Sequence, residues 1–277
     1  MNKLKLKQQL EQFFVEDIGD RDVSSTIFHE KQAGQIDFVA KADGIFCGEE
    51  IIHTGFSMLV DNVEIEMHVH DGESVTKQQI LATISGNVAQ LLQSERVILN
   101  LIQRMSGIAT QTQAAVSILN SQHTKICDTR KTTPGLRMLE KYAVRCGGGV
   151  NHRYGLYDAV MLKDNHIAFA GSITKAVEAV RQRVGHMVKI EVEIETKAQM
   201  LEAIEAQADV IMFDNRQPEE IKMWIQEVPD TIVTEASGGI TLERLADYRE
   251  AGVDYISLGF LTHSISSLDI SAKVTIE

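Results

Sequence analysis

The second half of the chain carries the pattern that most restricts its fold. Six short apolar runs recur at 125–129 (KICDT), 158–164 (DAVMLKD), 188–195 (VKIEVEIE), 209–215 (DVIMFDN), 231–237 (TIVTEAS) and 254–260 (DYISLGF), with amphipathic stretches between them. A run such as Val210-Ile211-Met212-Phe213 is apolar on both faces, which suits a parallel strand covered on either side by helices. Repeated strand-then-helix units predict an α/β fold, and six of them fit a (β/α) barrel of the TIM type. Polar and glycine positions gather where the runs finish, at Arg130, Lys163, Glu193, Asp214, Ser237 and Gly259. That end of the strands is where barrel enzymes keep their chemistry.

The first hundred residues follow a different grammar. Leu and Phe recur at helical spacing from Leu4 to Val15, and residues 16–25 (EDIGDRDVSS) read as a loop. A strand region opens at Ile36–Ala40 and continues through 44–48, and Val63–His70 alternates with period two before an Asp71-Gly72 turn. With 78–87 (QQILATISGN) these resemble the small β-modules that carry biotin or lipoate, but Lys77 lacks the tight hairpin such modules need, so it is expected to serve packing only. A long helix is predicted from about Val88 to Leu119, and the alternation of 268–277 (LDISAKVTIE) suggests a strand that returns to the N-terminal domain. No linker is rich in Pro, Gly or Ser, which favours two packed domains.

Charge and composition remove several classes of function. The 277 residues carry 39 acidic and 27 basic side chains, a net charge of −12 that argues against wholesale binding of nucleic acid or anionic membrane. No run approaches the ~18 apolar residues of a membrane span, and the N-terminal MNKLKLKQQLEQFF lacks the apolar core of a signal peptide. Cys47, Cys127 and Cys146 are odd in number and lack metal-ligand spacing, so a cytoplasmic, reducing setting is expected rather than a disulfide framework. Cys146, with no evident base partner, reads as inert.

Against that acidic background, residues 128–166 stand out. Arg130, Lys131, Arg137, Lys141, Arg145, Arg153 and Lys163 face only Asp128, Glu140, Asp158 and Asp164, a local excess of three positive charges. Arginine forks at strand ends suit carboxylates and phosphates in two-point contact. The spacing of Arg137, Lys141 and Arg145 equally fits one solvated helix face. Glu193 and Asp214, one unit apart, suit Mg²⁺ or ribose hydroxyls, and could stabilise an oxocarbenium-like transition state. Ser237-Gly238-Gly239, before a helix predicted from about Thr241, and Gly259 on the next strand end form the paired glycine loops of a barrel phosphate site. His68 and His70 share a strand face but no third ligand is evident, and Gly147-Gly148-Gly149 fits a helix C-cap as well as a phosphate cradle.

These blocks, read in order, resemble the nicotinate-nucleotide pyrophosphorylase family, also called quinolinate phosphoribosyltransferase. The resemblance rests on 95–110 (ERVILNLIQRMSGIAT), the long block 128–166 (DTRKTTPGLRMLEKYAVRCGGGVNHRYGLYDAVMLKDNH), 192–195 (VEIE), 213–215 (FDN), 235–240 (EASGGI) and 257–264 (SLGFLTHS). It implies an N-terminal α/β sandwich over 1–106 that takes back strand 268–277, and an incomplete α/β barrel over 107–267. It implies transfer of phosphoribosyl from phosphoribosyl pyrophosphate to quinolinate, with loss of CO₂ and release of nicotinate mononucleotide and pyrophosphate, in de novo NAD biosynthesis, with Mg²⁺ required. Homodimers in which the partner's N-terminal domain closes each barrel mouth follow from it too, with further assembly to a hexamer left open. Residue by residue, the resemblance implies that Arg104 reaches the other subunit's site, that Thr129, Arg130, His152 and Arg153 bind quinolinate with Lys163 at its edge, and that Lys131 and Lys163 face the phosphates and serve catalysis. It assigns Glu193 and Asp214 to ribose and metal, and Ser237, Gly238, Gly239, Leu258, Gly259, Phe260 and His263 to the 5-phosphate. The Arg21 that interrupts a Gly-Asp-rich turn at 18–25 is the one visible departure, expected to act locally.

Three other readings compete. Lys163 at a barrel strand end could form a Schiff base in a lyase. An accessory anion-binding relative could keep the glycine loops without the chemistry. A phosphoribosyltransferase acting on nicotinate itself would need fewer arginines than this chain carries.

Overall fold

The protein is described by a computed structural model, in which residues 1–29 and 32–275 are placed. In chain order the elements are α1 (Lys3–Ile18), β1 (Ala33–Ala40), β2 (Gly44–Ile45), α2 (Glu49–Leu59), β3 (Glu64–Met67), β4 (Ser74–Val75), β5 (Ile80–Asn87) and α3 (Val88–Leu119). They continue as β6 (Lys125–Cys127), α4 (Arg137–Cys146), β7 (Val160–Leu162), α5 (Asp164–Ala170), α6 (Ile173–Arg181), β8 (Ile190–Ile194), α7 (Lys197–Glu205), β9 (Val210–Asp214) and α8 (Pro218–Trp224). The last are β10 (Val233–Ser237), β11 (Tyr255–Ser257), α9 (Phe260–His263) and β12 (Ile270–Thr275). Two compact units result: residues 1–113, 138–148 and 264–277 form the first, and 114–137 and 149–263 the second. The first unit runs on to residue 113, within α3, and takes in most of α4.

In the first unit an antiparallel sheet runs β12-β1-β5-β3. Helix α1 starts where the Asn2 side chain accepts the Lys5 N–H, and it buries Leu6, Leu10 and Phe14 at four-residue spacing. It continues to Ile18, through part of the segment expected to be loop, because nothing before Gly19 breaks it; a short 3₁₀ turn then occupies Ser24–Ile27. Helix α2 is wedged tightly: a Cβ at Gly55 would lie 2.8 Å from Ile98 of α3 and 3.6 Å from Phe14 of α1. Phe38 of β1 and Phe56 of α2 join sheet to helix with ring centroids 5.8 Å apart. The C-terminal strand pairs with β1 from Gln35↔Thr275 to Ala40↔Ile270, so the expected return is made; Ile276 and Glu277 lie outside the described residues.

The second unit is a six-stranded parallel sheet in the order β6-β11-β10-β9-β8-β7, the incomplete barrel that six β/α units predict. Its covered face is apolar: Ile190, Val192, Ile194, Ile211, Phe213, Ala236 and Ile256 are all fully buried. Strand alternation sends the intervening residues to the opposite face, where Glu193, Met212, Asp214, Glu235, Ser237 and Ser257 line one cavity. Phe213 packs against Trp224 of α8, the single tryptophan, with centroids 6.5 Å apart. Phe213→Ala should lower stability by roughly 3 to 5 kcal/mol through the cavity it leaves, whereas Phe169→Ala, at a side chain 94% exposed, should shift it by less than ~0.5 kcal/mol. Urea unfolding followed by circular dichroism checks both.

Candidate active site

The cavity has a volume of about 670 Å³ and opens at the C-terminal ends of the parallel strands. Its wall has two polar tiers set by the two-residue period of the strands. Lys163, Glu193, Asp214 and Ser237 form the outer tier, Met161, Met212 and Glu235 lie one pair of residues deeper, and Ser257 lines the cavity beside Glu235; Glu191, two residues before Glu193, is buried. Thr129, Arg130, Lys131, His152, Arg153 and His166 complete the lining. Eleven of the residues the resemblance assigns to binding or catalysis are thus brought together, all from the second unit.

Buried Asp128 arranges the cationic side. One of its carboxylate oxygens accepts the Asn151 side-chain N–H at 2.7 Å, and the other accepts the His152 backbone N–H at 2.8 Å. Val150 bridges to Cys127 in the parallel sense, so Asn151–Arg153 is laid along the end of the sheet like a further strand. Arg153 then donates from Nη1 to the Ala159 carbonyl at 2.8 Å, which fixes its fork at the cavity. Burial, and then the like charge of Arg130, hold the Arg153 pKa below its ordinary value. Two guanidinium groups close enough to repel make a strongly cationic wall, which suits anionic groups such as carboxylates.

On the facing wall Lys163 is ion-paired to Glu193. That pairing engages the amine that a Schiff-base nucleophile would have to offer free, which does not favour the lyase reading. Asp214 has its pKa raised, by burial first and then by the charge of Glu193. Two mutually repelling carboxylates with one ammonium between them fit a divalent cation, whose oxygen ligands they would supply. Asn215 ties this wall to the glycine loop: its side chain donates to Asp214 at 2.7 Å and its backbone N–H to the Ser237 carbonyl at 2.8 Å.

Gly238 sits at φ +87°, and a Cβ there would meet Asn215 Oδ1 at 2.4 Å, so only glycine fits this turn. No α-helix follows at Thr241. The chain instead makes i→i+3 turns and enters a 3₁₀ helix at Leu245–Glu250, so any anion here meets loop amides and not a helix terminus. Gly259 lies against Lys131 and His263: a Cβ would fall 3.1 Å from Lys131 Cδ and 3.1 Å from His263 Nε2. Leu258 donates its N–H to the Cys127 carbonyl and buries its side chain; Phe260 opens the four-residue α9.

Glu191 and Glu235 escaped the sequence reading, although each stands two residues before a residue that was singled out and so shares its face. His152 Nε2 lies 3.2 Å from Glu191 and 3.5 Å from Glu235, and Ser257 donates its hydroxyl to Glu235. The Arg153 N–H donates to His152 Nδ1 at 2.8 Å, which leaves the imidazole proton on Nε2 facing the acids. Both ring nitrogens of His152 are thus engaged within the chain. His166, also missed, accepts the Lys163 N–H on Nδ1 at 3.0 Å, directing a neutral ring's proton to Nε2.

Arg104, expected to serve another subunit, belongs to the first unit, where Glu140 accepts from its Nη2 at 2.7 Å and its Nε at 2.9 Å. Of Arg137, Lys141 and Arg145, whose spacing fits a solvated helix face equally well, only Arg145 is exposed. Lys141 is fully buried, Glu140 is committed to Arg104, and Arg137 donates to Thr132 at 2.9 Å and to the Tyr154 carbonyl at 3.0 Å. Helical spacing aligned these residues, and packing turned the middle one inward. Gly147 caps the same helix through its N–H to the Ala143 carbonyl.

Burial, and then the charge of Glu191, push the Glu235 pKa from 4.5 up to about 7. The folded chain therefore keeps a proton that the unfolded chain releases in this window. That contribution to stability is full below pH 4.5 and is lost as the pH passes about 7. Glu235→Gln cannot ionise, so its stability relative to the parent should rise by on the order of 2 kcal/mol from pH about 5 to about 8. Urea midpoints across that range check this, and a constant difference would contradict it.

The quinolinate phosphoribosyl transferase N-terminal domain family matches residues 22–106, and the C-terminal domain family matches residues 108–273. A probable nicotinate-nucleotide pyrophosphorylase (carboxylating) of Bacillus subtilis is 57% identical over 276 residues, spanning 100% of this chain and 96% of that protein. A crystal structure of NadC from Streptococcus pyogenes superposes with a TM-score of 0.96 at 39% identity, covering 99% of this chain and 98% of that one. The nicotinate-nucleotide pyrophosphorylase of Francisella tularensis gives a TM-score of 0.94 at 34% identity, with 99% and 98% covered. With both domain families matched in order along one chain, and the cationic cavity at the strand ends of the second, the chain belongs to the quinolinate phosphoribosyltransferase family.

Proposed function

We propose that this chain transfers the phosphoribosyl group of phosphoribosyl pyrophosphate to quinolinate and removes CO₂, giving nicotinate mononucleotide and pyrophosphate in de novo NAD biosynthesis. The observation that carries the reading is the opposition within one cavity of an arginine pair, Arg130 and Arg153, and a carboxylate pair, Glu193 and Asp214. The arginines suit the two carboxylates of quinolinate. The acids suit the ribose, whose anomeric carbon gains positive charge as pyrophosphate leaves. Lys131, which lies against Gly259 near His263, and Ser237–Gly239 follow strands β6 and β10 on either side of β11, so these adjacent strand ends suit phosphate groups. Thr129 accepts the Lys131 N–H at 3.0 Å, which shapes the turn carrying Arg130 and Lys131.

These residues act by position and charge, with no covalent nucleophile. Arg130 and Arg153 orient the ring nitrogen toward the ribose carbon, and the Lys163–Glu193 pair holds the outer wall in register. Mg²⁺ held by Glu193 and Asp214 would neutralise pyrophosphate as it departs. Once the pyridine nitrogen is bonded to ribose, the ring is cationic and accepts the electron pair left by CO₂. We place the protein as a homodimer in which Arg104 of one protomer completes the partner's site, a role for which Glu140 presents its guanidinium in a fixed pose.

Purified protein with phosphoribosyl pyrophosphate and Mg²⁺ should form nicotinate mononucleotide from quinolinate, with one CO₂ per product, and none from nicotinate. Product from nicotinate would overturn the dicarboxylate pocket. Arg153→Ala should lower kcat/KM for quinolinate by roughly 30- to 1000-fold, the cost of removing one partner of a buried charged contact. Mixing Arg104→Ala with Arg153→Ala protein should restore activity in roughly a quarter of the sites, because each heterodimer rebuilds one of its two. Heterodimers that form and stay inactive would refute the shared site.

A further inference from the structure

We propose that Cys47 and Cys146 form a peroxide-responsive dithiol that closes to an intramolecular disulfide. The pair lies in the first unit, apart from the residues that line the cavity, and does not depend on the reaction assigned to it. Cys47 is fully buried between β2 and α2, and Cys146 is the partly exposed last residue of α4. Their sulfurs and an oxygen of Asp71 lie within 4.8 Å of one another.

Two anchors hold this approach. Asp71 accepts the Gly48 and Glu49 N–H groups at 2.6 and 3.0 Å on one oxygen, at the start of α2 directly after Cys47. Its other oxygen accepts the Tyr142 hydroxyl at 2.7 Å, one helical turn before Cys146. One carboxylate therefore pins both backbones that carry the thiols. Ser106 adds a third hold, accepting the Cys47 N–H at 3.0 Å and donating to the Cys47 carbonyl at 3.3 Å.

The environment also divides the two sulfurs into attacker and resolver. The hydrogen bond from Cys47 favours the thiolate on Cys146, aided by Tyr142 and Arg145, while burial and the charge of Asp71 oppose it. Burial, and then its partnership with Cys146, hold Cys47 as a thiol. A thiolate on the accessible sulfur beside a buried thiol is the arrangement of a redox-responsive pair. The Cys146 thiolate attacks one oxygen of hydrogen peroxide, breaking the O–O bond, releasing hydroxide and leaving a sulfenic acid. Cys47 then attacks that sulfur; the S–S bond forms and water departs with the thiol proton. Two thiols are oxidised by one peroxide, which is reduced to two waters. A metal site on the same three residues is disfavoured because both Asp71 oxygens are already occupied by the fold, leaving two sulfur donors where structural zinc takes four ligands.

The test treats the reduced full-length protein with equimolar hydrogen peroxide, alkylates it in denaturant and weighs it. Titratable thiols should fall from three to one, leaving Cys127. Apart from the single alkyl group it then carries, the chain should weigh two hydrogens less than the reduced protein, a peptide joining Cys47 to Cys146 should appear, and dithiothreitol should reverse all three changes. Cys47→Ser should leave a dimedone-trappable sulfenic acid on Cys146. Three thiols surviving the treatment, or Cys146 passing to sulfinic acid with Cys47 unlinked, would overturn the proposal. One zinc per chain in the purified protein, shielding both thiols until chelated, would also overturn it in favour of the metal site. The mass measurement on the parent protein decides the matter even if either variant fails to fold.

Discussion

Three carboxylates on neighbouring parallel strands, Glu193, Asp214 and Glu235, face one cavity with a fourth, Glu191, buried near Glu235, and much of the site answers to their repulsion. Two tiers neutralise it differently. In the outer tier Lys163 pairs with Glu193, leaving Asp214 with a raised pKa and room for a divalent cation. In the deeper tier no lysine lines the cavity, and the charge is relieved by His152, by the Ser257 hydroxyl and by a proton kept on Glu235 near neutral pH. Removing either tier's cation would leave buried like charges unpaired, a cost far above that of losing a surface ion pair.

Asp128 connects this balance to recognition. By holding Asn151 and the His152 amide at the sheet end, it places an imidazole over the deep acids and the Arg153 guanidinium beside Arg130 in one stroke. The imidazole beside the deep acids and the guanidinium of the cationic wall are thus placed by the same buried carboxylate, and a substrate bearing both developing positive charge and fixed negative charge can lie between the two walls. That division of labour is what phosphoribosyl transfer to a dicarboxylate requires, since donor and acceptor bring charges of the same sign to a reaction centre that turns cationic.

Much of this was legible in the sequence because strand period and strand order are local signals. Apolar runs such as 210–213 announce covered parallel strands, and the residues ending each run fall at one mouth by topology alone. What remained hidden depends on packing or on backbone detail. Glu191 and Glu235 share the faces of Glu193 and Ser237, yet alternation does not say that a histidine from a distant loop will reach between them. Lys141 looked solvated by helical spacing and is buried, because the neighbours of a helix decide which stripe turns inward. The stretch after Gly239 reads as a helix start, but Arg244 and Leu245 bond three residues back and tighten the chain to 3₁₀. Cys47 and Cys146 are 99 positions apart, and only the fold around Asp71 makes them neighbours.

The central claim is that the Arg130–Arg153 side of the cavity is a dicarboxylate receptor and the Glu193–Asp214 side is not. A crystal structure of the protein soaked with quinolinate tests it most directly. The account predicts quinolinate with its two carboxylates on the Arg130 and Arg153 guanidinium groups and its ring against His152. Quinolinate seated instead at Ser237–Gly239, with both guanidinium groups out of contact with it, would contradict the account.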